Sequence, residues 1–232
     1  GLMEAIVLAG GFGTRLKSVV FDLPKPLAPV AGKPFLEILL KTLAQKGFMR
    51  VVLSLGYMSE KVIAHFGSRF EGMELVYEIE STPLGTGGAI RLALTQCLTD
   101  HVFVFNGDTY LDLEVAHVEA HWQMNHMPII VARNMIDTAR YGRLETDNGK
   151  VIGFSEKGII GDGLINAGCY VLPTHILSSF ELGQPFSLET DFLVHAIKTQ
   201  CFDVFVTESH FIDIGIPEDY ARAQTELSGV FN

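Results

Sequence analysis

Hydrophobic and polar positions in the first half of the chain fall into alternating blocks. Residues 5–8 form a short apolar run closed by Gly10 and Gly11, the pattern of a buried strand giving way to a tight loop. Residues 34–46 carry apolar side chains at 35, 36, 38, 39, 40 and 43 and stop at Gly47, which predicts a helix. The same logic predicts strands over 51–55, 74–79 and 102–105, and helices over 59–66, 86–98 and 112–124. Strands separated by helices of this length pair in parallel through crossovers, so the first half reads as a doubly wound sheet. After Pro128 the pattern loosens. Residues 129–133, 143–145, 151–154 and 169–172 read as strands between Gly, Asn and Asp turns. Helices over 188–199 and 217–227 follow, with strands 204–206 and 211–214 between them. With no repeat, low-complexity tract or linker, one α/β body with a partly antiparallel second half is the simplest account.

Composition narrows the function. Of 232 residues, 48% are hydrophobic and 19% charged, enough for a core and too apolar for a disordered chain. The apolar stretches, such as 102–105 and 129–132, fall far short of the roughly 18–20 residues that a membrane span needs. A net charge of −10, from 17 basic and 27 acidic residues, argues against a nucleic-acid partner. Any phosphate handled here must meet a local cationic site on a negative body. Cys97, Cys169 and Cys201 form neither a CxxC pair nor a disulfide framework, which predicts small apolar packing groups in a reducing, cytoplasmic setting. Gly1 and Leu2 ahead of Met3 read as a cloning remnant, and Glu4 with the run 5–9 lacks the basic start and length of a signal peptide. No helix face stands out as surplus to the core, so no oligomeric state is read.

The glycine loop carries the first chemistry. Residues 8–16 read Leu-Ala-Gly-Gly-Phe-Gly-Thr-Arg-Leu, and glycines after a first strand let backbone N–H groups approach an anion with no Cβ in the way. In an open parallel sheet that point lies at a strand's carboxyl end, where ligands bind. The dinucleotide fingerprint fails because the third glycine position, counted from Gly11, falls on Leu16; no Gly-Lys-Ser/Thr of a Walker loop occurs either. On glycine alone, a tight turn with a solvated Arg15 would suffice. Two features change that balance. Lys25 stands between Pro24 and Pro26, each of which fixes φ, so it is presented on a stiff segment. Asp108 closes an apolar strand, and Asp213 ends a second apolar run. Carboxylates beside a phosphate need a cation between them, usually Mg²⁺. Two carboxylates, an Arg, a Lys and a glycine cradle are what in-line transfer at a phosphate requires.

The chain resembles the sugar-1-phosphate nucleotidyltransferases. The resemblance runs through residues 8–16 with Pro24-Lys25-Pro26, Leu84-Gly85-Thr86-Gly87-Gly88-Ala89, Asn106-Gly107-Asp108, Glu156-Lys157, Asn166-Ala167-Gly168, Asp213-Ile214-Gly215 and Pro217-Glu218, in the family's order and over nearly the whole chain. Within the family the series is most similar to the D-glycero-α-D-manno-heptose 1-phosphate guanylyltransferases, followed by mannose-1-phosphate guanylyltransferases and N-acetylmuramate-1-phosphate uridylyltransferases. It implies a single Rossmann-like α/β domain with a mixed, mainly parallel central sheet (GT-A-like), a nucleotide half over 1–127 and a sugar half over 128–232. It implies attack of a sugar phosphate oxygen on the α-phosphorus of an NTP, with pyrophosphate leaving. Arg15 would hold the triphosphate and Lys25 would sit by the α-phosphate, with Asp108 and Asp213 on Mg²⁺. Leu8, Ala9, Gly10, Gly11, Gly13, Thr14, Glu80, Gly85 and Thr86 would contact the nucleotide. Glu156 would accept sugar hydroxyls, Lys157 would contact the sugar phosphate, and Gly142, Asn166 and Gly168 would complete that pocket.

Glu80 lies in the segment that in this family faces the base. An ionised carboxylate only accepts, and guanine offers adjacent N1–H and N2–H₂ donors, so GTP is favoured and UTP tolerated; the alternative is a solvated glutamate near a strand end. Gly158 stands where many members have Pro, and Phe211 where Trp is frequent. A chain ending at Asn232 leaves no room for the β-helix or second domain of longer relatives, so acyltransferase activity and a regulatory site of that kind are not expected. A nicotinamide oxidoreductase would need a ribose-binding acid about 20 residues past the loop, and residues 28–33 lack one; a non-catalytic sensor is opposed by intact Arg15, Lys25, Asp108 and Asp213. His117 and His121 share a helix face but miss the zincin order, so a polar surface is favoured. Residues 153–157 begin like a nucleophile elbow but end on Lys157. Glu189 and Asp191 suit a helix start, with a minor sugar contact left open.

Overall fold

The computed structural model describes residues 1–10, 22–155 and 157–231. Along the chain come β1 (Glu4–Leu8), a tight 3₁₀ turn (Lys25–Leu27), the hairpin β2 (Pro29–Val30) and β3 (Lys33–Pro34), α1 (Phe35–Gln45), β4 (Arg50–Leu55), α2 (Ser59–Phe66), β5 (Arg69–Phe70), β6 (Met73–Ile79), α3 (Gly85–Leu94), β7 (His101–Asn106), β8 (Thr109–Leu111) and α4 (Val115–Asn125). The second half adds β9 (Ile129–Met135), β10 (Leu144–Asp147), β11 (Lys150–Phe154), β12 (Gly163–Pro173), a π-helical turn (Leu188–Leu193) running into α5 (Val194–Ala196), β13 (Asp203–Thr207), β14 (Phe211–Asp213) and α6 (Pro217–Glu226).

Among the described residues one sheet has ten strands, in the order β10-β11-β13-β9-β12-β7-β1-β4-β6-β5. Followed through their pairings, β1, β4, β6, β7, β9, β10 and β13 run one way and β5, β11 and β12 the other. The sheet is therefore mixed and mainly parallel. Alternation along β1 splits the core in two. Ala5 and Val7 face a cluster that includes Leu36 and Leu40 of α1, Val62 of α2 and Val118 of α4; Ile6 faces a cluster with Ile90 of α3, Leu188 and Leu193. The sheet is thus covered on both faces, as its parallel part demands.

The chain proceeds outward from β1 through β4 to β6, then returns by α3 to place β7 on the other side of β1. That reversal is a topological switch point, and a crevice opens at the carboxyl ends of β1 and β7.

Some elements differ from the sequence reading. The helix expected to run to 98 stops at Leu94, because the backbone amides of Leu98 and Thr99 turn inward to the buried Glu4 carboxylate at 2.7 and 2.8 Å. The helix expected over 112–124 begins at Val115, since the Asp112 amide instead donates to the His210 carbonyl. The strand expected over 169–172 extends back to Gly163, past a register shift between Asn166 and Cys169. The helix expected over 188–199 is a π turn and three α-helical residues, and β2, β3, β5 and β8 are too short for periodicity to show.

Candidate active site

The crevice is built by close backbone approach. Leu8 pairs with Asn106 at the ends of β1 and β7, the Gly107 amide donates to the Leu8 carbonyl at 2.7 Å, and the Ala9 amide to that of Ser54 at 2.8 Å. A Cβ on Gly107 would lie 2.5 Å from the Leu8 carbonyl oxygen, so only glycine lets the chain turn there and deliver Asp108. β8, which follows, pairs with β14 so that Thr109 faces Asp213, and the Ile214 amide donates to the Asp108 carbonyl at 2.8 Å. The two acids, far apart in sequence, are neighbours through this small ladder. The Gly215 amide donates to Asp213 Oδ1 at 2.9 Å. Lys25, in its proline-framed turn, reaches across to Asp108 Oδ2 at 2.9 Å, and the pair is mostly buried, at 14% and 26% exposure.

Two cavities meet here. One, about 360 Å³, is lined by Ala9, Gly10, Lys25, Glu80, Gly85 and Asp108; the other, about 380 Å³, by Gly142, Lys157, Gly168, Glu189 and Asp213. Leu8, Thr86 and Asn106 line both, so they are lobes of one cleft. In the first lobe Glu80, just past the end of β6, is half-buried and hydrogen-bonded. Its oxygens accept from the Ser54 hydroxyl at 3.3 Å and the Leu84 amide at 3.2 Å, and burial pushes its carboxyl above the usual glutamate value against those bonds. In the second lobe Glu189 is an exposed residue whose Oε1 accepts from the Asn166 amide at 3.0 Å. Burial raises its pKa; the Lys157 charge and the Asn166 hydrogen bond oppose the rise.

The structure brings Leu8, Ala9, Gly10, Lys25, Glu80, Gly85, Thr86, Asp108, Gly142, Lys157, Asn166, Gly168 and Asp213 to this cleft. Gly11, Gly13, Thr14, Arg15 and Glu156 lie outside the described residues. The glycines of 85–88 serve packing: the Gly87 and Gly88 amides donate to the Phe186 carbonyl, and a Cβ at Gly87 would land 2.2 Å from the Phe186 ring. Thr86 accepts from the Leu188 amide at 2.9 Å, tying the two lobes together. Sequence reasoning gave no role to Ser54, Asn106, Arg140 or Tyr141, which also line the cleft. Asn106 stands inside a motif in which the acid is the more conspicuous group.

Outside the cleft the other singled-out side chains have protein partners or face solvent. His121 bonds to the buried Asp203 at 3.0 Å and His117 is exposed. The Ser155 hydroxyl donates to Glu145. Cys169 is buried, but Cys201 is exposed rather than packed.

Gly168 has φ +72°, and a Cβ there would sit 2.2 Å from Asn106 Nδ2. Gly168→Ala is expected to lose about 1–2 kcal/mol from the left-handed backbone alone and to displace Asn106 from both lobes. Thermal unfolding checks the backbone cost: a Tm lowered by several degrees is expected, and an unchanged Tm would contradict it.

The donor chemistry suits a hard cation. Among the described residues no three of His, Cys, Asp or Glu cluster as a protein-only metal cage. Mg²⁺ does not need one: one or two carboxylates suffice, with water and substrate phosphate completing its shell. Asp108 and Asp213 would supply those oxygens.

The nucleotidyl transferase family model matches residues 4–229. The chain belongs to the nucleotidyl transferase family. Among its relatives is the D-glycero-α-D-manno-heptose 1-phosphate guanylyltransferase of Aneurinibacillus thermoaerophilus, 41% identical over 226 residues, covering 97% of this chain and 98% of that one. The protein so named from Campylobacter jejuni is 40% identical over 220 residues, covering 94% and 97%. The crystal structure of HddC from Yersinia pseudotuberculosis superposes with a TM-score of 0.88 at 38% identity, covering 97% of this chain and 100% of that chain; the same protein complexed with GMP-PN gives 0.87.

Proposed function

We propose that the chain transfers a guanylyl group from GTP to D-glycero-α-D-manno-heptose 1-phosphate, giving the GDP-sugar and pyrophosphate. The observation that carries the reading is the two-lobed cleft, with Lys25 and Asp108 near the seam, in a chain that matches heptose-1-phosphate guanylyltransferases end to end. Residues 1–127 form the nucleotide half and residues 128–232 the sugar half.

A sugar phosphate oxygen attacks the α-phosphorus as the bond to the β-phosphate breaks. No general base is required, because a phosphate monoester with a second pKa of about 6 is mostly dianionic near neutrality. Catalysis is then positioning and charge stabilisation. Lys157 steers the incoming phosphate, and Lys25 faces the α-phosphate. Arg15 holds the triphosphate and steadies charge on the departing pyrophosphate. Gly10 with Gly11, Gly13 and Thr14 cradles phosphate oxygens, while Glu156 accepts from sugar hydroxyls. Mg²⁺ held by Asp108 and Asp213 would neutralise phosphate charge. The unpaired cysteines suit a reducing cytoplasm.

Pyrophosphate release with each NTP against heptose, mannose and N-acetylmuramate 1-phosphates tests this. GTP with the heptose should give the highest kcat/KM; a preference for UTP with N-acetylmuramate 1-phosphate would overturn it. Glu80 gives a narrower test. A neutral amide loses the bidentate match to guanine, so Glu80→Gln should erode the GTP over UTP preference about tenfold or more. In the wild type the preference should fade as pH drops through the raised Glu80 pKa, since protonation removes an acceptor. An unchanged ratio in the variant would reject the base-reading role.

A further inference from the structure

Asn166 has no donor left for a ligand. Its amide nitrogen donates to the Tyr170 hydroxyl at 2.6 Å and to Glu189 Oε1 at 3.0 Å, and its amide oxygen accepts from the Gly168 amide at 2.8 Å. Both N–H bonds of a carboxamide are thereby used. The Tyr170 ring beneath is buried, so this arrangement is fixed from below.

What Asn166 holds is Glu189. The acid two residues on serves the turn itself. Asp191 Oδ2 accepts from the Ser187 amide at 2.8 Å, while the Ser187 hydroxyl accepts from the Thr190 amide at 3.2 Å, so the turn closes on itself. The bond from the Leu188 amide to Thr86 pins the same turn to α3. Glu189 lines the 380 Å³ lobe with Lys157, and among the described residues no hydrogen-bond donor reaches its Oε2. A helix-dipole role does not account for a carboxylate anchored by one oxygen and open at the other.

We propose that Glu189 is a sugar-reading residue, its free carboxylate oxygen accepting hydrogen bonds from adjacent hydroxyls of the sugar, with Asn166 as the positioning residue that aims it. This rests on the sugar 1-phosphate reading above. An acceptor-only group paired with Lys157 gives the lobe a polarity: the ammonium attracts the phosphate end, and the carboxylate repels that end and takes hydroxyls. A glutamine in its place would present donors as well, and would lose the stronger, charge-assisted bond.

The test is a cycle between enzyme and substrate. Initial rates of pyrophosphate release are measured for the wild type, Glu189→Gln and Asn166→Ala, with heptose 1-phosphate and its single-deoxy analogues. Losing a hydroxyl that Glu189 holds should cost the wild type about tenfold or more in kcat/KM, and should cost Glu189→Gln much less. The KM for GTP should stay near its wild-type value in Glu189→Gln, whereas the KM for the sugar phosphate rises. Asn166→Ala should raise the same KM without adding to the Glu189→Gln effect in the double variant. Glu189→Gln keeps the side-chain shape at a partly solvent-exposed position, so it decides the matter even if Asn166→Ala fails to fold. Equal penalties for every analogue in wild type and variant would overturn the proposal, as would a GTP KM that rises as much as the sugar's. If another sugar 1-phosphate is the substrate, the heptose assignment falls and the cycle is read on that sugar's hydroxyls; if none is turned over, both readings fall.

Discussion

Asp108→Asn is expected to lower kcat by about a hundredfold or more, the scale on which charge stabilisation at a transferring phosphate is lost, while the fold survives. The side chain sits on a turn fixed by backbone bonds, from Gly107 to Leu8 and from Ile214 to Asp108, and neither bond involves its carboxylate. An amide of the same shape can stay in place. What it forfeits is the charge that a cation needs and the partner that Lys25 now grips at 2.9 Å. Lys25 is itself mostly buried at 14% exposure, so losing this partner should also lower the Tm, without unfolding a turn that backbone bonds hold. Steady-state rates alongside thermal unfolding separate the two effects. Near-normal turnover would remove Asp108 from the mechanism, and a collapsed Tm would make its role structural.

Glu4→Gln should have the largest effect on stability. Glu4 is buried at 1% exposure at the start of the central strand. Its Oε1 accepts from the Leu98 and Thr99 amides and lies 2.6 Å from the Thr99 hydroxyl, while Oε2 takes Arg50 Nη1 at 2.6 Å. Burial pushes this carboxyl up, but Thr99, Arg50 and the two amides together outweigh it and hold its pKa below the ordinary value. Removing the charge leaves the buried Arg50 guanidinium with the half-exposed Glu74 carboxylate, at 3.5 Å, as its acidic partner, a loss of about 3 kcal/mol. For a chain of this size that corresponds to about 2–4 °C in Tm for each kcal/mol. The pH dependence has a fixed sign. A depressed carboxyl stabilises above its unfolded-state pKa, and the contribution disappears as pH falls through the lower folded-state value. Wild type and Glu4→Gln should therefore differ most near neutrality and converge in acid. A gap that persists at low pH would show that shape rather than charge holds the site.

Local pattern was enough for the sheet and its order of chemistry, and not for what lies across it. The run at 5–8, the stop at Gly47 and the acid at 108 are each legible from neighbours in sequence. The end of α3 at Leu94 is not, because its cause is Glu4, which lies 94 residues from Leu98. Nor is the β8–β14 pair, whose strands have three residues each and which nonetheless sets Asp213 beside Asp108. The glycines at 87 and 88 read as part of a ligand motif, and their need becomes visible only with Phe186 packed against them. The motif assigns Asn166 to the sugar, but only its partners reveal that its donors are spent inside the protein.

Bond-level isotope tracing tests the central claim most directly. Heptose 1-phosphate carrying ¹⁸O in its terminal phosphate oxygens is incubated with GTP and Mg²⁺, and both products are weighed by mass spectrometry. Attack of that phosphate on the α-phosphorus predicts that all the label enters the GDP-sugar and none the pyrophosphate. Label in pyrophosphate, or GMP formed without a labelled sugar nucleotide, would contradict it.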